Sequence, residues 1–172
     1  VLGAHSHCDR LVTSLESVCQ QVGDLTWECL IVINGPFQPN PRFSELLRTD
    51  SRLRVLHSTK AGLTSALILG CQHANGPLIA RLDVGDTMAP CRLQSQFEAF
   101  QKHSDLVLAT SDVDICGPFW EPLRTDTQDC ASELPQWVNT VPVELGLSID
   151  IPHHASVTVS YTHLRAHETE YD

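Results

Sequence analysis

Two carboxylates three positions apart, in Asp83-Val84-Gly85-Asp86, close the apolar run Leu78-Ile79-Ala80-Arg81-Leu82. Hard oxygen ligands on a short turn suit Mg2+ or Mn2+. Mg2+ in particular uses one or two protein carboxylates when phosphate and water supply the rest. The run before the pair has the length and apolar content of a buried strand. In an open α/β sheet, ligand chemistry collects in the crevice at the carboxyl ends of the strands. The pair therefore reads as a candidate cation corner for a phosphate-bearing ligand. A solvated acidic loop is the plainer alternative, and the turn alone does not choose between them.

Other reactive side chains are scattered. His5, His7, His57, His73, His103, His153 and His154 include the one-apart pair His5-Ser6-His7 and the adjacent His153-His154, and the sequence positions no further histidine cluster beside either, so satisfied or surface histidines outweigh an all-histidine metal site. The seven cysteines, Cys8, Cys19, Cys29, Cys71, Cys91, Cys116 and Cys130, are odd in number and contain no Cys-x-x-Cys pair. They read as reduced core thiols rather than a disulfide framework or a zinc site. Ser14, Ser65 and Ser156 lack the glycines of a nucleophile elbow. Neither a Gly-x-Gly-x-x-Gly turn nor a phosphate-binding Gly-Lys-Ser/Thr loop is present.

The elements that must position the acidic turn alternate in type. Residues 1–4 look like the tail of a strand. Asp9 can cap a helix carrying Leu11, Leu15 and Val18 and ending near 21–23. Residues 28–33 form an apolar, β-branched run stopped by Asn34-Gly35-Pro36. Pro41 suits the first turn of a short helix with Phe43, Leu46 and Leu47. A strand at 53–56 follows, then a helix at 62–74 packed through Leu63, Ala66, Leu67 and Gly70. The strand 78–82 carries the acids. A helix at 90–102 shows Leu93, Phe97 and Phe100 at i, i+4 and i+7, and a strand at 106–110 follows. This order predicts an α/β fold with a mostly parallel, Rossmann-like sheet sandwiched by helices.

From about residue 116 the alternation stops, broken by Pro118, Pro122, Pro135 and Pro142. The chain divides into an α/β core at 1–117, an irregular insertion or flap at 118–148 and a returning strand at 149–159. The tail 160–172 has neither apolar period and reads as a non-native or frayed terminus without a role.

Five blocks together resemble the family 2 nucleotide-sugar glycosyltransferases of the A-type fold. They are Leu11-Val12-Thr13-Ser14-Leu15-Glu16-Ser17-Val18-Cys19-Gln20-Gln21, Trp27-Glu28-Cys29-Leu30-Ile31-Val32-Ile33-Asn34-Gly35, Lys60-Ala61-Gly62-Leu63, the stretch from Ala74-Asn75-Gly76-Pro77 through Asp86, and Pro90-Cys91-Arg92-Leu93-Gln94-Ser95-Gln96. The resemblance implies that Ala4, His5 and Ser6 pass beneath the nucleotide base. It places Asn34 where relatives carry an acid that reads the base imide; a carboxamide keeps an acceptor there and leaves nucleotide identity open. Without the resemblance, Asn34 is a turn residue. Lys60 and Gly62 lie on a loop that approaches the nucleotide, and Lys60 is equally readable as a solvated lysine.

The resemblance further implies that Asp83 faces the ribose or base side and that Asp86, with Asp83, holds Mg2+ or Mn2+ on the diphosphate. Gly85 replaces the middle acid of the fuller pattern. His154 matches a positional histidine near the end of the sheet. The general base of an inverting transferase is expected beyond the end of this chain. The tail acids Glu168, Glu170 and Asp172, and the flap-region acids Glu121, Asp126, Asp129 and Glu144, match no family motif.

The expected function is transfer of a sugar from a nucleotide-diphosphate sugar to a glycan or lipid-linked acceptor, as in polysaccharide biosynthesis. This chain carries the donor-binding half and is inactive alone. The alternative is a non-catalytic α/β module that binds nucleotide or protein. A formal net charge of -10 argues against nucleic acid as a partner. No apolar stretch is long enough to span a bilayer, so a cytoplasmic location with at most peripheral membrane association is expected. An incomplete sheet edge allows a homo-oligomer.

Overall fold

The computed structural model describes residues 1–5, 9–109 and 111, with the backbone of strands 113–116, 122–126 and 157–159. Strand β1 (Leu2–Ala4) pairs in parallel with β2 (Cys29–Ile33), and β2 pairs in parallel with β3 (Leu53–His57). Every residue of β2 is buried, which is why Cys-Leu-Ile-Val-Ile carries no polar position. A strand covered on both faces reads as a continuous apolar run.

Strand β4 (Leu78–Ala80) lies on the other side of β1. The Val1 nitrogen donates to the Ala80 carbonyl at 2.7 Å, and the Leu82 N–H donates to the Val1 carbonyl at 3.4 Å. That is the bonding pattern of a parallel pair, with Val1 opposite Arg81. The chain therefore runs outward through β1, β2 and β3, then returns to the opposite flank of β1 as β4. β8 (Val157–Val159) pairs antiparallel with both β4 and β5 (Leu108–Ala109). Strands β6 (Val113–Cys116) and β7 (Pro122–Asp126) form an antiparallel hairpin whose register shifts at Ile115/Cys116.

Helix α1 (Asp9–Cys19) buries Leu11, Leu15 and Val18 against β1 and β2, as its spacing predicts. Helix α2 (Pro41–Thr49) starts at a cap: the Asn40 side-chain oxygen accepts from the Phe43 N–H at 2.8 Å, and Pro41 follows where a donor is dispensable. Helix α3 (Leu63–Gln72) packs through small residues, with Ala66 against Gly3 and Gly70 against Val1 and Val32. Leu63, expected in that stripe, is 44% exposed because it opens the helix at the sheet rim.

Helix α4 (Arg92–Lys102) forms within the expected 90–102. Its buried side chains are Arg92 and Gln96, while Leu93, Phe97 and Phe100 are half-buried. Leu93 packs against the core, and with Phe97 it lines a cavity of about 520 Å³ at the amino ends of β2 and β4.

Strand β4 stops at Ala80, not at residue 82, and β5 covers Leu108–Ala109 within the expected 106–110. Of the expected flap at 118–148 only the backbone of 122–126 is described, and His153, His154 and the tail 160–172 lie outside the described residues.

Candidate functional site at the carboxyl ends of β1, β2 and β4

In a doubly wound sheet, the crevice for a ligand opens where the winding reverses, above the carboxyl ends of the two strands that diverge there. Here those strands are β1 and β4. His5 follows β1, Asn34 follows β2, and Asp83 to Asp86 follow β4, so the sequence-predicted residues share one edge of the sheet.

The β1–β2 corner is tightly built. The Asn34 N–H donates to the Ala4 carbonyl at 2.9 Å, and its Nδ2 donates to the Gly62 carbonyl at 2.6 Å. A carbonyl can only accept, so this second bond fixes which way the amide points. Asn34 is 8% exposed, and its Oδ1 is buried with no donor among the described residues. Gly35 sits directly beneath His5: a Cβ there would strike the His5 carbonyl and lie 2.9 Å from its imidazole Cε1 and Nδ1. Asn34-Gly35 is thus a close crossing of two strand ends and not merely a turn.

Lys60 is exposed on a loop shaped by Ser58, whose Oγ donates to the Lys60 carbonyl at 2.9 Å and accepts from its N–H at 3.2 Å. Gly62, at φ +104°, caps α3 in a conformation that favours glycine. Ala4, His5, Asn34, Lys60 and Gly62 therefore belong to one connected corner. Ser6 lies outside the described residues.

On the other flank of β1, the Asp86 N–H donates to the Asp83 carbonyl at 3.1 Å and closes the acidic turn. Gly85, at φ +105°, occupies the position of the fuller pattern's middle acid in a conformation that side chains rarely adopt. Arginines, which the sequence reading passed over, set the charge balance. Arg81 grips Asp83 through two bonds, Nε to Oδ1 at 3.0 Å and Nη2 to Oδ2 at 3.1 Å.

Arg92 is 8% exposed, donates Nη2 to the Arg81 carbonyl at 3.2 Å, and leaves Nε without an acceptor among the described residues. Burial pushes its guanidinium down to about 10, and the nearby Asp86 charge opposes that shift. Asp83 is therefore engaged by Arg81, and Asp86 lies close enough to Arg92 to feel its charge.

The donor set fits a phosphate-bound divalent cation. Asp83 and Asp86 are hard oxygen donors on one turn, and no group of three or more His, Cys, Asp or Glu converges on a metal site among the described residues. Two carboxylates are too few for an all-protein cage and sufficient for Mg2+ or Mn2+ carried on a diphosphate. The buried and half-buried thiols do not compete. Burial pushes Cys19 up to about 12 and Cys29 up to about 11, and it raises Cys71, so all three stay protonated at neutral pH.

Residues 3–160 match the model of glycosyl transferase family 2. The chain belongs to this family. No curated protein matches it in sequence. Among solved structures it is similar to the mannosyltransferase PcManGT from Pyrobaculum calidifontis in complex with GDP-Man and Mn2+, with a TM-score of 0.57 and 12% identity. That match covers 92% of this chain and 43% of the mannosyltransferase, so the chain spans less than half of that protein's length. The glycosyltransferase A-type fold expected from the sequence is the one observed. No described helix of this family 2 chain is long and apolar enough to cross a membrane.

Proposed function

We propose that this family 2 chain binds the nucleoside diphosphate of a sugar donor across the ends of β1, β2 and β4. In the whole protein, the sugar then passes to a glycan or lipid-linked acceptor. The observation that carries the reading is the shared edge: an acidic turn on one flank of β1, and on the other a buried amide oxygen, Asn34 Oδ1, with no donor among the described residues. The mannosyltransferase with GDP-Man and Mn2+ supports it by fold alone.

In this reading, Asn34 accepts from an N–H on the base edge, while its own donor stays fixed on Gly62. His5 and Ala4 floor the base, and Lys60 adds positive charge near the phosphates. Asp83 faces the ribose side, and Asp86 is the chief carboxylate for Mg2+ or Mn2+. Such a cation neutralises charge on the departing nucleoside diphosphate as a Lewis acid. The general base is assigned to no described side chain.

A second reading, a module that binds nucleotide or protein without transfer, is favoured by the Arg81 grip on Asp83 and by glycine at position 85.

Calorimetry with GDP and UDP, with and without Mn2+, separates the two. The donor site predicts binding that strengthens with Mn2+ and loses that gain in Asp86→Ala. Heats that are flat for both nucleotides, with and without Mn2+, would sink it.

A further inference from the structure

One face of α1 is polar and buried, and the acidic loop hangs from it. Ser14 and Ser17 on the helix, and Gln21 two residues past its end, recur at i, i+3 and i+7, and all three are buried. Ser14 Oγ donates to the Arg10 carbonyl at 3.0 Å and accepts from the Gly85 N–H at 2.9 Å. Ser17 Oγ donates to the Ser14 carbonyl at 2.7 Å and accepts from the Met88 N–H at 3.0 Å. Gln21 Nε2 donates to the Ala89 carbonyl at 2.7 Å, and its Oε1 accepts from the Leu93 N–H at 3.0 Å. Just past the helix, the Val22 N–H donates to the Pro90 carbonyl at 2.8 Å.

Each hydroxyl spends its proton on its own helix and so presents only an acceptor to the loop. An acceptor held in that way selects a backbone N–H and fixes its height along the helix. The Gly85 N–H lies between the two acids. Fixing it, at the φ of +105° that only glycine adopts readily, sets the direction in which the next residue, Asp86, leaves the turn.

We propose that Ser14 is a positioning residue for the acidic turn, with Ser17 and Gln21 supporting the same loop farther along. Its hydroxyl acts through Gly85 and holds Asp86 in the orientation that a divalent cation on a nucleoside diphosphate requires. This rests on the donor reading above. Partners that orient a ligating carboxylate affect metal affinity without meeting the metal.

The test titrates Mn2+ into the full chain in the presence of GDP and, in a separate series, UDP. Free Mn2+ is read from its electron paramagnetic resonance signal. In Ser14→Ala the Mn2+ midpoint should rise about tenfold, and at saturating Mn2+ the variant should recover the wild-type nucleotide affinity. Ser17→Ala should shift the midpoint in the same direction by less. A general packing defect would weaken nucleotide binding at saturating Mn2+ as well, and that result overturns the positioning role. An unchanged midpoint in Ser14→Ala, where Asp86→Ala abolishes uptake, overturns the positioning role alone. Wild-type protein that takes up no Mn2+ with either nucleotide overturns the donor reading and this inference together.

Discussion

At the scale of single residues, the site is defined by what each polar atom has left to offer. Asn34 donates one amide N–H to Gly62 and keeps a buried oxygen with no donor among the described residues. An unpaired buried acceptor costs about 1–3 kcal/mol, which a ligand N–H recovers. Asn34→Leu should therefore weaken GDP or UDP by about five- to a hundredfold, equally with and without Mn2+; calorimetry at both metal conditions checks it. A loss confined to the Mn2+ series would contradict the base role.

Gly35 makes a steric prediction of its own. Gly35→Ala places a methyl against the His5 carbonyl. It should cost roughly 1–3 kcal/mol, read from the urea midpoint, and should weaken nucleotide binding because His5 must move. The sequence placed Asn34 and Gly35 at a turn, but a turn motif carries no trace of the second strand end that crosses it. Arg81 and Asp83, joined by a bidentate ion pair, stand two positions apart in the sequence, a local spacing that the reading did not use. The buried charge of Arg92 leaves no such local pattern.

Elements show why some assignments held and others shifted. Strands β2 and β3 and helices α1 and α2 were readable because their apolar positions are the positions that burial uses. Helix α4 formed where its apolar period placed it, but that period marks a half-buried face, while Arg92 and Gln96 take the covered one. Ser14 and Ser17 of α1, continued by Gln21 just past its end, had helical spacing in plain view. Counting only apolar residues discarded it.

Between elements, Asp50 and Arg52 clamp the start of β3. Arg52 Nη2 reaches the Asp50 carboxylate at 2.7 Å, and the guanidinium stacks on Trp27 at 3.7 Å from the ring centre. The Arg52 hydrogen bonds hold the Asp50 carboxyl down at about 2, below its ordinary 3.8. The folded state thus favours the ionised form. That stabilisation is complete above pH 4 and is lost as pH falls from about 4 to about 2. Thermal melts across this window should show a decline in wild type that is shallower in Asp50→Asn; parallel profiles would contradict the clamp.

Across the whole molecule, the winding of the sheet decides where chemistry can occur. The chain departs from β1 toward β3 and returns beside β1 as β4, and the crevice it leaves collects residues distant in sequence, from His5 to Asp86. The fold class was readable because strands and helices alternate. The reversal was not, because it depends on Val1 meeting Ala80 and Leu82 across 79 positions in the sequence.

The opposite end of the sheet holds an apolar hollow of about 520 Å³, lined by Trp27, Pro77 and Phe97 among others. This hollow and the polar chemistry lie at different ends of the sheet. Hydrogen exchange read by mass spectrometry, with GDP and Mn2+ added together and separately, decides between them. Added protection is expected at peptides covering residues 4–5, 34–35, 60–62 and 83–86, greatest when both are present, with none at 25–30 or 74–78. Protection confined to the amino-end hollow, or independent of Mn2+ at 83–86, would contradict a donor site at the carboxyl ends.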